Sequence, residues 1–164
     1  MSAGTYLLVK FDDRERLLPA VEKINQSESV LGWDAIDGHY NLLLKLKKHD
    51  NEFIDSVKDF DGFADSNSVD ILDESLPTIE FDPEYTYSYL FIETDKNEID
   101  KIKETLNSND AVISCISTSG SFDLIALVKS DTFDKIDRTI DNDIKELDGL
   151  LRLKQDRIIL LDTM

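Results

Sequence analysis

Cysteine is almost missing from this chain: Cys115 stands alone among 164 residues. One thiol can build neither a disulfide framework nor a cysteine-based zinc site, and such usage fits a reducing compartment. Histidine is nearly as scarce. His39 and His49 lie apart, without H-x-x-x-H or H-E-x-x-H spacing, so both read as solvent-exposed residues and not as metal ligands. No apolar run approaches the roughly 20 residues that span a bilayer. The stretch from Met1 has no basic segment followed by an apolar one, so no secretion signal is expected. A phosphate-binding glycine loop, a nucleophile elbow and a calcium loop are also lacking, and no cofactor is expected. Basic residues are few: 18 Lys and Arg face 35 Asp and Glu, a net charge of −17. Such a surface repels phosphate backbones, whose binding rests on neutralisation by Lys and Arg. The expectation is a soluble, cytoplasmic protein with no membrane partner and no affinity of its own for DNA.

What is present is a core and a repeat. Hydrophobic residues make up 41% of the chain, enough to bury a real interior despite the charge. The acids are unevenly placed. Residues 5–72 hold 8 basic and 14 acidic side chains, and residues 88–164 hold 10 and 16, so each carries −6. Between them residues 73–87 carry five acids, no base and two of the three prolines. This reads as a surface linker, because unpaired carboxylates are costly to bury. Its TIEF piece is strand-like, with Pro83 placed to end it.

The flanking segments repeat one pattern. An apolar strand, Tyr6–Phe11, is answered by Tyr89–Thr94. A helix follows in each, with Asp13 or Asp95 as cap candidates and stripes of Leu17, Val21 and Ile24 or Ile99, Ile102 and Leu106. Pro19 should kink the first of these helices or delay its start. A hairpin comes next, Val30–Lys47 matched by Val112–Lys129, so that Gly38 answers Gly120, Asn41 answers Asp123, and Trp33 answers Cys115. Gly at each tip supplies the positive φ that tight turns need. A second helix opens after Asp50 or Asp131, and a strand closes each copy, SVDIL in the first and LRLKQDRIILL in the second. The order β-α-β-β-α-β, written twice, is that of the ferredoxin-like unit, a four-stranded antiparallel sheet with both helices on one face. YLLVKF, LLLKL and LIALV are too uniformly apolar to leave the other face wet. The expected fold class is therefore α+β: two tandem ferredoxin-like units over residues 1–72 and 88–164, joined by the linker 73–87, forming an intrachain dimeric α/β barrel.

The second copy resembles the effector-binding RAM domain of the Lrp/AsnC family of feast/famine regulators. The matching residues run from YLFIETD through Val112, the SGSFDLIALV hairpin and LDGLLRLKQDRIIL, and Gly120-Ser121-Phe122-Asp123 is the most family-like step. The first copy resembles the same domain more faintly, with Asn41 in place of Asp. The resemblance implies a barrel normally built from two chains, here from two copies. Family members usually carry an N-terminal helix-turn-helix, whereas only Met1–Gly4 precede the first strand of this sequence. The implied function is a non-enzymatic module that senses a small molecule, an amino acid in particular. It would assemble as a homo-oligomer or with Lrp/AsnC-type regulators. The same architecture also hosts small monooxygenase-like and haem-dependent enzymes, and fold does not fix function.

In the family the hairpin turn lies near the effector pocket, which makes Gly120, Ser121 and Asp123 the candidate ligand-binding residues. Gly38 and Asn41 would form a weaker counterpart. A carboxylate at Asp123 can accept charge-assisted hydrogen bonds from an ammonium group. The structural alternative is an Asp that stabilises its own turn. Trp33 and Cys115 read first as core, with a barrel-interior position as the other reading. The remaining acids, Asp141-Asn142-Asp143 among them, read as solvated surface.

Overall fold

The computed structural model describes residues 4–73 and 79–159. The described residues divide into two compact units, 4–73 with Ile159 and 79–158. The first runs β1 (Thr5–Phe11), α1 (Leu17–Asn25), β2 (Val30–Asp37), β3 (Leu42–Leu46), α2 (Asn51–Val57) and β4 (Phe63–Asp70). The second repeats it with β5 (Thr86–Thr94), α3 (Ile99–Asn107), β6 (Val112–Ser117), β7 (Leu124–Ser130), α4 (Phe133–Thr139) and β8 (Leu150–Ile159). Within the units the strands pair antiparallel in the orders β4-β1-β3-β2 and β8-β5-β7-β6. That is the split β-α-β arrangement, and the fold class is α+β as expected.

Strand alternation sorts the side chains into two faces. In the first unit Leu7, Val9, Leu42 and Leu44 turn toward Val21, Ile24, Phe53 and Val57 of the helices. In the second, Leu90, Ile92, Leu124 and Ala126 meet Ile102, Leu106, Ile136 and Ile140. The opposite faces are buried too, at Leu8 and Leu43 in one unit and at Tyr89, Phe91 and Leu127 in the other. This is why these strands read as apolar runs without a polar period. Trp33 and Cys115 both lie on the helix side, which corrects the barrel-interior reading. Trp33 Nε1 there donates to Asn25 Oδ1 at 2.9 Å.

Several local expectations change at helix ends. Asp13 caps a short 3₁₀ turn, Arg14–Arg16, and α1 proper begins at Leu17. Pro19 thus falls in the first turn, where its missing N–H has no intrahelical acceptor to lose, so the start is delayed and no kink is required. Asp50 caps α2 by accepting from Phe53 N at 3.1 Å. In the second unit Asp95 instead accepts from Asn97 N, organising the turn that leads to α3. Thr132, not Asp131, caps α4, while Asp131 pairs with Lys135 one turn on. The α4 stripe continues through a π-helical turn, Ile140–Ile144, which keeps Ile140 and Ile144 in the core.

The linker is shorter than its composition implies. β5 already starts at Thr86, and β4 starts at Phe63, five residues before the SVDIL piece. Ile79–Phe81 form no strand, and Thr78 lies outside the described residues, as do Leu160 and Leu161 of the last predicted strand. The Phe81 ring meets Tyr87 edge-on at 4.7 Å, and Asp82 N donates to the Tyr87 hydroxyl at 2.8 Å. An aromatic dock thus takes the place of the predicted strand.

Candidate functional site

The two hairpins present the predicted residues in two separate loops, one per unit. In the second unit Thr118 N donates to Asp123 O at 3.0 Å and the Thr118 hydroxyl to Phe122 O at 2.8 Å. These bonds close a loop with Gly120 at its tip, φ 103°. Ser121 is exposed there, and the Phe122 ring leans on Phe91 at 5.1 Å. In the first unit Ile36 N donates to Asn41 O at 2.8 Å, closing the equivalent loop. Gly38 does not adopt positive φ, so the expectation of a left-handed glycine holds at Gly120 and fails at Gly38. A loop with four residues between its closing pair has alternatives to a left-handed tip.

Asp123 and Asn41 do the same mechanical work. Thr94 N, at the end of β5, donates to Asp123 Oδ2 at 2.8 Å, and Phe11 N, at the end of β1, donates to Asn41 Oδ1 at 2.6 Å. Beside each bond the backbone is also tied, Asp123 N to Ile92 O at 2.9 Å and Asn41 N to Val9 O at 2.8 Å. The side chain therefore stitches the hairpin to the neighbouring strand and does not stabilise its own turn. The strand-end N–H groups of Thr94 and Phe11 are partners that no reading of adjacent residues could supply. A carboxylate held by one oxygen in this way is pre-oriented. It is half-buried, and its second oxygen can accept from a cation arriving at the loop.

The two histidines sit at the surface with acidic neighbours. His39 Nε2 is 3.4 Å from Asp65 Oδ2, and its ring meets Tyr40 edge-on at 4.7 Å. Burial first, then the charge of Asp65, raises the Tyr40 phenol above its usual range, while a hydrogen bond with Asn67 opposes the shift. His49 Nδ1 is 3.0 Å from Asp70 Oδ1, and Nε2 is 2.9 Å from Asn51 Oδ1. The Asp70 hydrogen bond, followed by the one to Asn51, raises the His49 pKa above 6.5. Among the described residues no group of three or more His, Cys, Asp or Glu could hold a metal ion, and no helix is long and apolar enough to cross a membrane.

Two shallow clefts lie between helices at equivalent places. One is bordered by Arg16, Lys23 and Phe60 in the first unit, the other by Lys101, Thr105 and Leu147 in the second. Because both copies have one, these clefts belong to helix packing.

Fold and loops together define a protein of two ferredoxin-like α+β units, each with a side chain tying its central hairpin to its first strand. Residues 88–156 match the model of the Lrp/AsnC ligand binding domain, and Gly120, Ser121 and Asp123 fall inside that match. No curated protein matches the sequence. Among solved structures, the siroheme decarboxylase NirDL is similar over 95% of this chain and 71% of its own, with a TM-score of 0.78 at 10% identity. A putative monooxygenase from Lactobacillus acidophilus NCFM is similar over 94% and 91%, with a TM-score of 0.57 at 12% identity. AsnC from E. coli aligns over 54% of this chain and 62% of its own, with a TM-score of 0.46 at 16% identity.

Proposed function

We propose that this protein is a non-enzymatic module that senses a small molecule carrying an ammonium group, an amino acid above all. Its effector site is the Gly120–Asp123 hairpin end, and the Gly38–Asn41 loop is the weaker counterpart. It acts by assembling with copies of itself or with Lrp/AsnC-type regulators, without binding DNA itself. The observation that carries this reading is the Asp123 carboxylate, fixed by Thr94 N at 2.8 Å at the mouth of a loop inside the matched ligand-binding domain. One charge-assisted hydrogen bond contributes about 1.5–3 kcal/mol, roughly ten- to a hundredfold in affinity. Asn41 keeps the geometry without the charge, so the two loops should bind unequally.

Calorimetric titration with the amino acids tests this. Asp123→Asn should lose most of the affinity of the wild type, and Asn41→Asp should gain some. A ligand whose binding neither change alters would place the pocket elsewhere. The second reading, a small enzyme of the dimeric α/β-barrel type, rests on the likeness to NirDL and the monooxygenase, which is one of fold. The positions of His39 and His49, 48% and 40% exposed beside Asp65 and Asp70, favour the sensor over it. Tight uptake of a porphyrin, seen as a shifted absorption band, would reverse that preference.

A further inference from the structure

The second helix ends differently in the two units. α2 stops after seven residues, whereas α4 equals it and then runs on through the five residues of the π turn, where Lys145 N donates to Ile140 O at 2.8 Å. The first unit forms its sheet and its core without such a turn, so the ferredoxin-like fold does not ask for one. Turns of this kind are rare and recur at functional sites. Facing the turn, β8 carries Leu153 and Gln155 across from Ile92 and Leu90, where β4 carries Ser66 and Ser68 across from Val9 and Leu7.

Between the π turn and β8 lies an open cleft of about 290 Å³, lined by Asp137, Ile140, Asp141, Lys145, Leu153 and Gln155. All six belong to the second unit. The volume is at the lower end for ligand clefts and suits a short chain better than a ring system. Ile140, from the helix-side core, and Leu153, packed against that core, give the cleft an apolar floor. Its polar atoms are mostly acceptors. Gln155 Nε2 donates to the buried Ser88 hydroxyl at 3.0 Å, so the amide oxygen is the atom left to accept.

Asp141 Oδ1 lies 3.0 Å from Lys145 Nζ, and Asp137 Oδ2 lies 3.5 Å from an Arg157 nitrogen, which leaves one oxygen of each carboxylate for another donor. These side chains are between 43% and 60% exposed, and ion pairs so open contribute little, so they yield to a better-placed cation. Arg157 also stacks on the Phe133 ring at 4.5 Å, a contact it keeps without Asp137.

The spacing of the carboxylates selects a ligand. Asp137 and Asp141 are four residues apart on one helix, about 6 Å along its axis, and both face the cleft. Four methylenes hold two ammonium groups at a similar separation. The surroundings favour cations: residues 131–148 hold seven acids and three bases in a chain of net charge −17. Such a field concentrates small cations and turns anions away.

We infer that the cleft between the π turn and β8 binds an aliphatic diamine, with its ammonium groups on Asp137 and Asp141 and its methylenes on Ile140 and Leu153. Gln155 Oε1 accepts a further N–H. This site goes beyond the hairpin reading: it uses none of that loop's residues and asks for no carboxylate on the ligand.

The probe is 1,4-diaminobutane in physiological salt, with n-butylamine and Mg²⁺ at matched ionic strength as comparisons. Calorimetry gives affinity, and ¹⁵N amide shifts give location. The diamine should shift the amides of Asp137, Asp141, Lys145 and Gln155, and bind roughly tenfold or more tightly than butylamine, which can make only one of the two charge-assisted contacts. Mg²⁺ should leave those amides in place. Asp137→Asn/Asp141→Asn removes only exposed pairs, so it should melt with the wild type while losing roughly tenfold or more in affinity. Glu22→Gln/Asp59→Asn removes the same charge from exposed positions of the first unit and should leave shifts and affinity unchanged. Equal affinity for butylamine, Mg²⁺ shifts at the same amides, or equal losses in the two double variants would reduce the attraction to diffuse charge and overturn the site. No shift at those amides, or shifts confined to Gly120–Asp123, would overturn it as well. The hairpin reading is decided separately, by the amino-acid titration of Asp123→Asn.

Discussion

Replacing Asp123 by Ala should destabilise the second unit by about 2 kcal/mol. The bond at stake runs from Thr94 N, in a residue only 4% exposed, to a carboxylate oxygen 2.8 Å away. Deleting the acceptor leaves a buried donor without its partner, which costs roughly 1–3 kcal/mol. In a chain of 164 residues each kcal/mol moves the melting temperature by about 2–4 °C, so a fall of about 4–8 °C is expected. Asp123→Asn should cost about 1 kcal/mol or less, because an amide oxygen already makes this bond at Asn41, 2.6 Å from Phe11 N. Asn41→Ala should then fall as far as Asp123→Ala. Differential scanning fluorimetry, backed by urea midpoints, measures all three. An Asp123→Ala variant that melts with the wild type would refute the stitching role. An Asn variant as damaged as the Ala variant would show that charge, not geometry, holds the hairpin. This series also separates stability from recognition, since Asp123→Asn should keep the fold while losing the effector.

Two further outcomes follow from local geometry. The His49 pKa is raised on folding, chiefly by its hydrogen bond to Asp70. Its stabilising contribution is therefore complete below its unfolded value of 6.5 and lost as pH rises through the folded value. The melting-temperature advantage of wild type over His49→Gln should be present below pH 6.5 and shrink as pH rises above it, and an advantage independent of pH would exclude this linkage. Gly149 has φ +90° and a Cβ there would overlap Glu98 Cβ, so Gly149→Ala should cost roughly 3 kcal/mol in chemical denaturation. Gly62→Ala, which meets the movable Arg16 Cγ at 2.7 Å, should cost less; equal costs would mean that φ alone decides both.

The repeat and its element order were legible because periodicity is a local property. The stripes Leu17-Val21-Ile24 and Ile99-Ile102-Leu106 sit in the helix-side cores, and the hairpin alignment holds residue by residue, down to matched register shifts around Leu31 and Ile113. Helix starts were read less well. Thr132 and Asp131 are adjacent and both chemically able to cap, and only backbone geometry chooses Thr132. The linker bounds shifted because Tyr87, read as part of an acidic stretch, is buried in β5.

Composition, spacing and order were enough to determine two ferredoxin-like units of α+β class and the loops where Gly120, Ser121, Asp123, Gly38 and Asn41 would lie. All of that depends on which neighbours in sequence share a turn or a strand. Only the tertiary structure decided what those side chains do. Asp123 meets Thr94 and Asn41 meets Phe11 across 29 and 30 positions of chain, and Lys45 reaches Asp34 only because β2 and β3 pair in one register. Hydrogen bonds and ion pairs act over a few ångströms, so partners far apart in sequence are set by strand pairing and not by spacing along the chain.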